Sequence, residues 1–218
     1  MGYDMVRYGK KKLLKNYEIN VVLDVGAYIG QYAKELRAIG YKARIISFEP
    51  LSSSFIQLSI NSKTDGAWEV FNFALGDTED NCIINIAGNS RSSSILEILP
   101  SHIHAAPNSK YIGSEQIQIK TLDSLFDTLK ISKNNILLKI DTQGFEQNVI
   151  AGAKNSLQFI DTIQIEMSLI PLYCDELLFS DMYQILNQLG YHMVSIEPAF
   201  WDLDTGQLLQ VDGIFHRY

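Results

Sequence analysis

The chain has 218 residues, 46% hydrophobic and 20% charged, enough for one ordinary domain with a sizeable core. A net charge of −7 and a sequence pI of about 5.1 argue against a general nucleic-acid binder, which carries a basic face. No apolar run reaches the roughly 20 residues that span a bilayer, and no signal peptide is visible. Met1-Gly2 is followed by Val6 where a myristoylation start needs Ser or Thr, so that reading fails. Cys82 and Cys174 lie far apart without metal-ligand spacing and read as free thiols, so a cytoplasmic, reducing setting is expected.

Residues 1–19 read as an N-terminal basic helical extension and residues 20–218 as one domain. In the extension Arg7, Lys10, Lys11, Lys12 and Lys15 cluster, while Val6, Leu13, Leu14 and Tyr17 fall near helical spacing. Two readings stand: a short helix packed on the domain edge with a solvated basic face, or peripheral contact with an anionic membrane surface or an acidic carrier. Val21–Val25 predicts the first strand. Ile29, Tyr32, Ala33, Leu36 and Ile39 then recur on one helical face that stops at Gly40. Arg44–Phe48 predicts the second strand, residues 52–60 a serine-capped helix and residues 70–74 a third strand.

Between 77 and 121 the alternation breaks. Residues 83–86 and 117–119 read as the two arms of an inserted strand-loop-strand, joined by a Ser-rich stretch at 88–94 and a segment carrying His102 and His104. Insertions of this length are often lids or substrate-binding elements. Ile136–Ile140 predicts a fourth strand buried on both faces. Phe145, Val149 and Ala153 then mark a helix, and residues 162–166 a fifth strand. Leu178, Met182, Ile185, Leu186 and Leu189 stripe a long helix that ends at Gly190. Two closing strands at 192–196 and 211–216 flank a turn region at 198–206 and form a candidate antiparallel hairpin at one edge. Alternating strands and helices imply an α/β fold with a parallel sheet covered on both faces.

The stretch from Val21 to Gly30 is the most informative. An apolar run ends near Asp24, passes Gly26 and Gly30, and opens an amphipathic helix. Gly26 can adopt angles that a Cβ forbids and lets a ligand approach the main chain, while Gly30 lets the helix start pack closely. The spacing is Gly-x-x-x-Gly, so the pyrophosphate cradle of dinucleotide enzymes fits poorly. An S-adenosylmethionine site fits better, because that ligand carries no phosphate and needs a carboxylate near its amino group.

In open α/β sheets ligands bind beyond the carboxyl ends of the strands. Asp24, Glu49 and Asp141 fall at the ends of the first, second and fourth strands. Asp24 is expected to orient the loop amides or balance a ligand ammonium. Glu49, 23 residues after Gly26, sits near the roughly 20-residue offset of a carboxylate that accepts from ribose hydroxyls. Residues 72–77 are expected to border the adenine. Each carboxylate alone reads equally well as a helix cap or surface charge; the three in register with strands point to one shared cleft.

Several motifs follow in order: Asp24-Val25-Gly26-Ala27-Tyr28-Ile29-Gly30, Phe48-Glu49-Pro50, Phe73-Ala74-Leu75-Gly76-Asp77, Ser92-Ser93-Ser94, Thr121-Leu122-Asp123, Leu138-Lys139-Ile140-Asp141-Thr142-Gln143-Gly144-Phe145-Glu146 and Val211-Asp212-Gly213-Ile214-Phe215. Over about residues 20–218 this order resembles the FkbM family of S-adenosylmethionine-dependent methyltransferases. The first motif is generic to class I methyltransferases; the Lys139–Glu146 run with the Thr121-Leu122-Asp123 lead-in selects the family. The resemblance implies a Rossmann-like class I methyltransferase fold, with a seven-stranded, mostly parallel sheet, helices on both faces and an antiparallel edge strand. It also implies transfer to an oxygen, often a hydroxyl of a sugar or natural product. Expected cofactor contacts are Asp24, Gly26, Ala27, Tyr28, Gly30, Glu49, Pro50, Ala74 and Leu75. The family usually has Asn at the position of Tyr28 and Glu at that of Gln143. Tyr28 is expected to stack on or bond to the cofactor or to narrow its entrance, and Gln143 removes a charge beside the reaction centre.

A hydroxyl is a poor nucleophile, so a positioned base or a metal would help. Asp141 is the first candidate base and Glu166 the second. Their structural alternatives are a cap for the helix begun near Gly144 and a buried partner for Lys139. A divalent ion between carboxylates is left open, since no tight ligand cluster is visible and no metal ligand is assigned. Ser94, Gln143 and His102 are the expected substrate contacts, with both loop histidines placed on one side of an extended segment. Ordinary loop histidines are the alternative. Arg91 reads as an anion contact or a solvated arginine, and Phe200-Trp201 as a sugar platform or core packing. His192 and His216 read as structural. The expected partner is a small-molecule or carbohydrate acceptor. A non-catalytic cofactor-binding protein and a nicotinamide-dependent oxidoreductase are the alternative functions.

Overall fold

A computed structural model describes the backbone of residues 2–218 and the side chains of residues 5–218. Met1, which opens the expected extension and the myristoyl-like start, lies outside the described residues. Helix α1 (Gly2–Asn16) leads into β1 (Val21–Val25). It packs on the domain edge through buried Leu14 and through Tyr17, whose ring stacks on His216 with centroids 3.6 Å apart. Lys11, Lys12 and Lys15 stay exposed.

The chain then alternates. Helix α2 (Gln31–Ala38), strand β2 (Arg44–Phe48) and helix α3 (Ser52–Ser62) precede β3 (Trp68–Phe71). The strand expected at 70–74 is divided. After β3, Asn72 donates to the Glu49 and Pro50 carbonyls, both at 2.9 Å, and turns the chain off the β2 edge. The next residues form β4 (Ala74–Leu75), which belongs to a second sheet with β5 (Asp80–Ala87) and β6 (Tyr111–Lys120) in the order β4-β6-β5. Between β5 and β6 lies α4 (Pro100–Ala105), where an extended segment was expected. Proline at the first helical position supplies a pre-set φ and gives up an amide that would have had no partner there. In a helix, residues two apart do not share a face; His102 is buried and His104 exposed.

Helix α5 (Leu122–Leu129) also has no counterpart in the periodicity reading. Thr121 starts it, accepting from the Ser124 amide at 3.2 Å. Strand β7 (Ile136–Ile140), helix α6 (Glu146–Ala151), strand β8 (Thr162–Ser168), helix α7 (Phe179–Gln188) and the pair β9 (His192–Trp201) and β10 (Leu208–His216) complete the chain. The closing pair is a hairpin longer than 192–196 and 211–216. Asp202 tightens its turn by accepting from Thr205 Oγ1 at 2.7 Å and from the Asp204 amide at 3.0 Å.

The main sheet has seven strands in the order β3-β2-β1-β7-β8-β10-β9. The first five run parallel, and β10 lies antiparallel between β8 and β9. Leu23, Ile46, Leu138 and Ile163 are wholly buried along its middle. Each such side chain contributes roughly 1.5–3 kcal/mol by leaving water. Strand order reverses between β1 and β7, so the crevice beyond their carboxyl ends is the place where this architecture binds ligands.

Candidate functional site

A cavity of about 510 Å³ opens at that crevice, within the roughly 300–1,000 Å³ typical of small-molecule sites. One end is walled by Glu49, Pro50, Leu51, Ala74 and Leu75, the floor by Gly26, Ala27 and Tyr28, and the other end by Asp141, Gln143, Glu166, His102 and Phe200. Register explains why these meet. Val25 pairs with Phe48 on one side and Ile140 on the other, so β1, β2 and β7 end level.

The residues after β1 form a tight bend. Gly26 has φ 76° and Tyr28 φ 51°. A Cβ at Gly26 would lie 1.8 Å from the Asp141 carbonyl oxygen, so the neighbouring strand end by itself requires this glycine. Gly30, unlike Gly26, does not line the cavity: a Cβ there would meet the Trp68 ring at 2.5 Å. Its role is the close packing of the helix start, and the expected cofactor contact is corrected accordingly. Ala27, Tyr28, Pro50, Ala74 and Leu75 do face the cavity.

Glu49 is almost fully buried beside this bend. It accepts from the Tyr28 amide through Oε2 at 2.8 Å and from the Leu51 amide through Oε1 at 2.9 Å. A carboxylate has about four lone-pair positions, so one remains on each oxygen. Burial pushes its pKa up to about 7, against the two amides, which pull it down. A paired acceptor next to a main-chain bend suits the two hydroxyls of a ribose.

Asp24 is displaced from the expected role. It is wholly buried and absent from the cavity wall. Cross-strand pairing sets Ser47, Asp24, Lys139 and Gln164 in one row over β2, β1, β7 and β8. Asp24 accepts from Ser47 Oγ at 3.1 Å and lies 3.5 Å from Lys139 Nζ, which is 3.2 Å from Asp141 Oδ2. Burial works against the Lys139 charge, but Asp141 and Asp24 outweigh it and keep the amine protonated above the usual lysine range. Asp24 therefore fixes Lys139 from behind, and Lys139 presents Asp141 to the cavity. Tyr32 closes the row by donating to Gln164 Oε1 at 2.7 Å.

The two candidate bases come together. Gln143 Nε2 donates to Asp141 Oδ1 at 2.8 Å and to Glu166 Oε2 at 2.9 Å, while Tyr173 donates to Gln143 Oε1 at 2.8 Å. Gln210 Nε2 adds a second bond to Glu166 Oε2 at 3.0 Å. Glu166 is thus not the partner of Lys139. Burial, then the charges of Asp141 and Asp212, push its pKa well above the usual carboxylate range. Asp141 does not cap the following helix either. No side chain does, and Glu146 instead braces the loop before the helix, accepting from the Thr142 and Gly144 amides at 2.7 and 3.3 Å.

Gln143 has φ 58° and Gly144 φ 96°. A left-handed non-glycine residue persists where its surroundings hold it. Here Ser94 Oγ donates to the Gln143 carbonyl at 2.6 Å. Ser94 is buried and outside the cavity wall, so it positions Gln143 instead of contacting substrate as expected. His102 does line the cavity. Arg91 lies at the rim, with its guanidinium 5.6 Å from the Tyr28 ring centre.

Lys139, Gln164, Gln210, Asp212 and Lys10 also line the cavity and were not assigned to the site from the sequence. The signal was present for four of them: polar residues inside otherwise apolar strands. Lys10 comes from α1 and pairs with Glu197 at 3.8 Å. Among the described residues no group of three or more His, Cys, Asp or Glu side chains could hold a metal ion, and no helix is long and apolar enough to cross a membrane.

The chain is similar to several known proteins. The hexuronic acid methyltransferase AglP of Haloferax volcanii is 29% identical over 153 residues, 69% of this chain and 56% of that protein. The chain thus spans little more than half the length of that relative. Magnesium protoporphyrin IX methyltransferase (ChlM) of Synechocystis PCC 6803, solved with bound SAM, matches all of this chain and 80% of its own. Its TM-score is 0.51 at 9% identity. TehB of Haemophilus influenzae matches 96% of this chain and 62% of its own, with a TM-score of 0.50 at 10% identity. These structures share the fold. A family model described as the methyltransferase FkbM domain matches residues 24–193, and the chain belongs to that family.

Proposed function

We propose that this protein is an S-adenosylmethionine-dependent O-methyltransferase whose acceptor is a hydroxyl of a carbohydrate or a related small molecule. The observation that carries the reading is the single cavity holding Glu49 at one end and the Asp141–Gln143–Glu166 group at the other. The family supports methyl transfer, and the name of the archaeal relative supports a sugar acceptor.

S-adenosylmethionine, when bound, supplies a methyl group already activated by its sulfonium centre, so much of the catalysis is alignment and exclusion of water. Glu49 offers one lone pair per oxygen to a ribose. The acidic lining suits a positively charged donor. With the cofactor bound, an acceptor oxygen held at the other end would take the methyl group, the carbon–sulfur bonding pair leaving with sulfur. The hydroxyl proton goes to Glu166. Gln143 and Gln210 hold Oε2, leaving Oε1 for that proton. Asp141, held between Lys139 and Gln143, orients the hydroxyl.

The test is calorimetry with S-adenosylhomocysteine and with NADH, followed by labelled methyl transfer to sugars, nucleotide sugars and lipid-linked glycans. Tight binding of the homocysteine product and transfer to one sugar class is expected. Preference for NADH would overturn the cofactor, and transfer to no member of the panel would overturn the acceptor class.

A further inference from the structure

The cavity wall contains a group that the transfer chemistry does not use. His102 is 2% exposed, yet its Nδ1 has no hydrogen-bond partner. Its ring sits edge-on to Tyr173 at 5.1 Å between centres and tilted against Phe200 at 5.2 Å. A buried, unpaired nitrogen costs roughly 1–3 kcal/mol, and phenylalanine would fill such an aromatic niche without that cost. The position is also held firmly. The Leu99 amide donates to the Leu172 carbonyl at 2.9 Å, and Ser101 Oγ to the Pro171 carbonyl at 2.5 Å. Tyr173, against which the imidazole packs, is the residue that donates to Gln143. The niche is therefore one tyrosine ring away from Asp141 and Glu166, on the same cavity wall.

We propose that His102 and Phe200 form the acceptor subsite, and that it takes an uncharged face of a pyranose ring. Phe200 covers the C–H face of the sugar, and the imidazole pairs with a ring hydroxyl. The match is chemical. Burial lowers the His102 pKa to about 4, so the ring is neutral in the physiological range. A neutral imidazole has one donor and one acceptor, the same pair that a hydroxyl offers, whereas a carboxylate or phosphate would call for a cation. This inference rests on the methyl-transfer reading of the cavity and names the part of it that selects the acceptor.

The experiment uses the full chain saturated with S-adenosylhomocysteine. Imidazole NMR signals are followed while methyl glucoside, methyl glucuronide and, as a control, glycerol are added. The chain has four histidines, and His102→Phe identifies the relevant signal. The expected result is that both glycosides shift the His102 signal, glycerol does not, and Phe200→Leu weakens the response at least about tenfold, or ~1.4 kcal/mol. His102→Phe should keep the melting temperature or raise it, since it removes an unpaired polar atom. With an acceptor in hand, it should raise KM and leave kcat nearly unchanged. A His102 signal indifferent to both glycosides, or a large fall in melting temperature in His102→Phe, would overturn the subsite. Failure of S-adenosylhomocysteine to bind would instead overturn the methyl-transfer reading.

Discussion

Asp141 and Glu166 are joined through one nitrogen, the Nε2 of Gln143, at 2.8 and 2.9 Å. The two amide hydrogens occupy the place where a cation would otherwise screen the carboxylates from each other. Gln143→Glu would remove both donors and put three carboxylates in contact, an arrangement that either takes up a proton or recruits a metal ion. The variant is expected to bind Mn²⁺, seen by electron paramagnetic resonance, where the parent binds none at this site. Methyl transfer should fall by about 100-fold or more without added metal. Equal Mn²⁺ binding by the parent would show that the amide does not stand in for a cation.

Removing each carboxylate separates their roles. Glu166→Gln abolishes the proton acceptor, and Asp141→Asn removes the charge that Lys139 and Gln143 hold. Loss of a general base typically costs 10²–10⁴-fold. Both variants should lower kcat by roughly 100-fold or more while S-adenosylhomocysteine affinity stays close to normal. If turnover survives in Glu166→Gln but not in Asp141→Asn, the base is Asp141.

Glu49 gives a pH signature. Its folded pKa of about 7 lies above its ordinary value of 4.5. A raised acid pKa contributes stability that is fully present below pH 4.5 and is lost as pH rises through 7, because only the unfolded chain releases the proton early. The ligand-free protein should therefore lose part of its melting temperature between pH 4.5 and 7, and Glu49→Gln should flatten that slope. Cofactor binding runs the other way. Ribose hydroxyls need the ionised acceptor, so S-adenosylhomocysteine should bind more tightly as pH rises through 7, with proton release on binding below that pH read by calorimetry in two buffers. Glu49→Ala should weaken binding by about 1–3 kcal/mol. Equal affinity in that variant would show that the ribose is held elsewhere.

The sequence carried the frame of the fold because apolar runs and glycine bends act locally. Val21–Val25, Arg44–Phe48 and Ile136–Ile140 were readable to the residue. What escaped were features fixed by partners distant in the chain. Asn72 splits the third strand by reaching back to Glu49 and Pro50, and no periodicity announces that. Side-chain direction was equally hidden. Asp24 stands one residue before the end of β1, where it is buried between its cross-strand neighbours Ser47 and Lys139, whereas Glu49 and Asp141 lie just beyond their strands. Gln143 was noticed as a departure from the family pattern, but its bridging role depends on Tyr173 and Glu166 and could not be read from spacing.

Gly152 offers a test of how the second sheet is anchored. A Cβ there would lie 1.8 Å from the Gly76 carbonyl oxygen and 2.7 Å from its carbon, with only backbone atoms in the way. The Gly152 carbonyl in turn accepts from the Asp123 amide at 3.0 Å. The end of α6, the start of α5 and the chain leaving β4 thus meet at one glycine. Its φ of −79° is ordinary, so the penalty for alanine is steric and not conformational. Overpacking of this kind costs typically 1–3 kcal/mol or more, which lowers Tm by roughly 2–4 °C per kcal/mol in a chain of this size. Gly66→Ala is the matched control, since nothing lies within 4 Å of its added methyl group. Thermal denaturation should separate the two variants clearly. Identical melting temperatures would mean that α6 and β4 can move apart, and that the small sheet is not locked to the domain at Gly152.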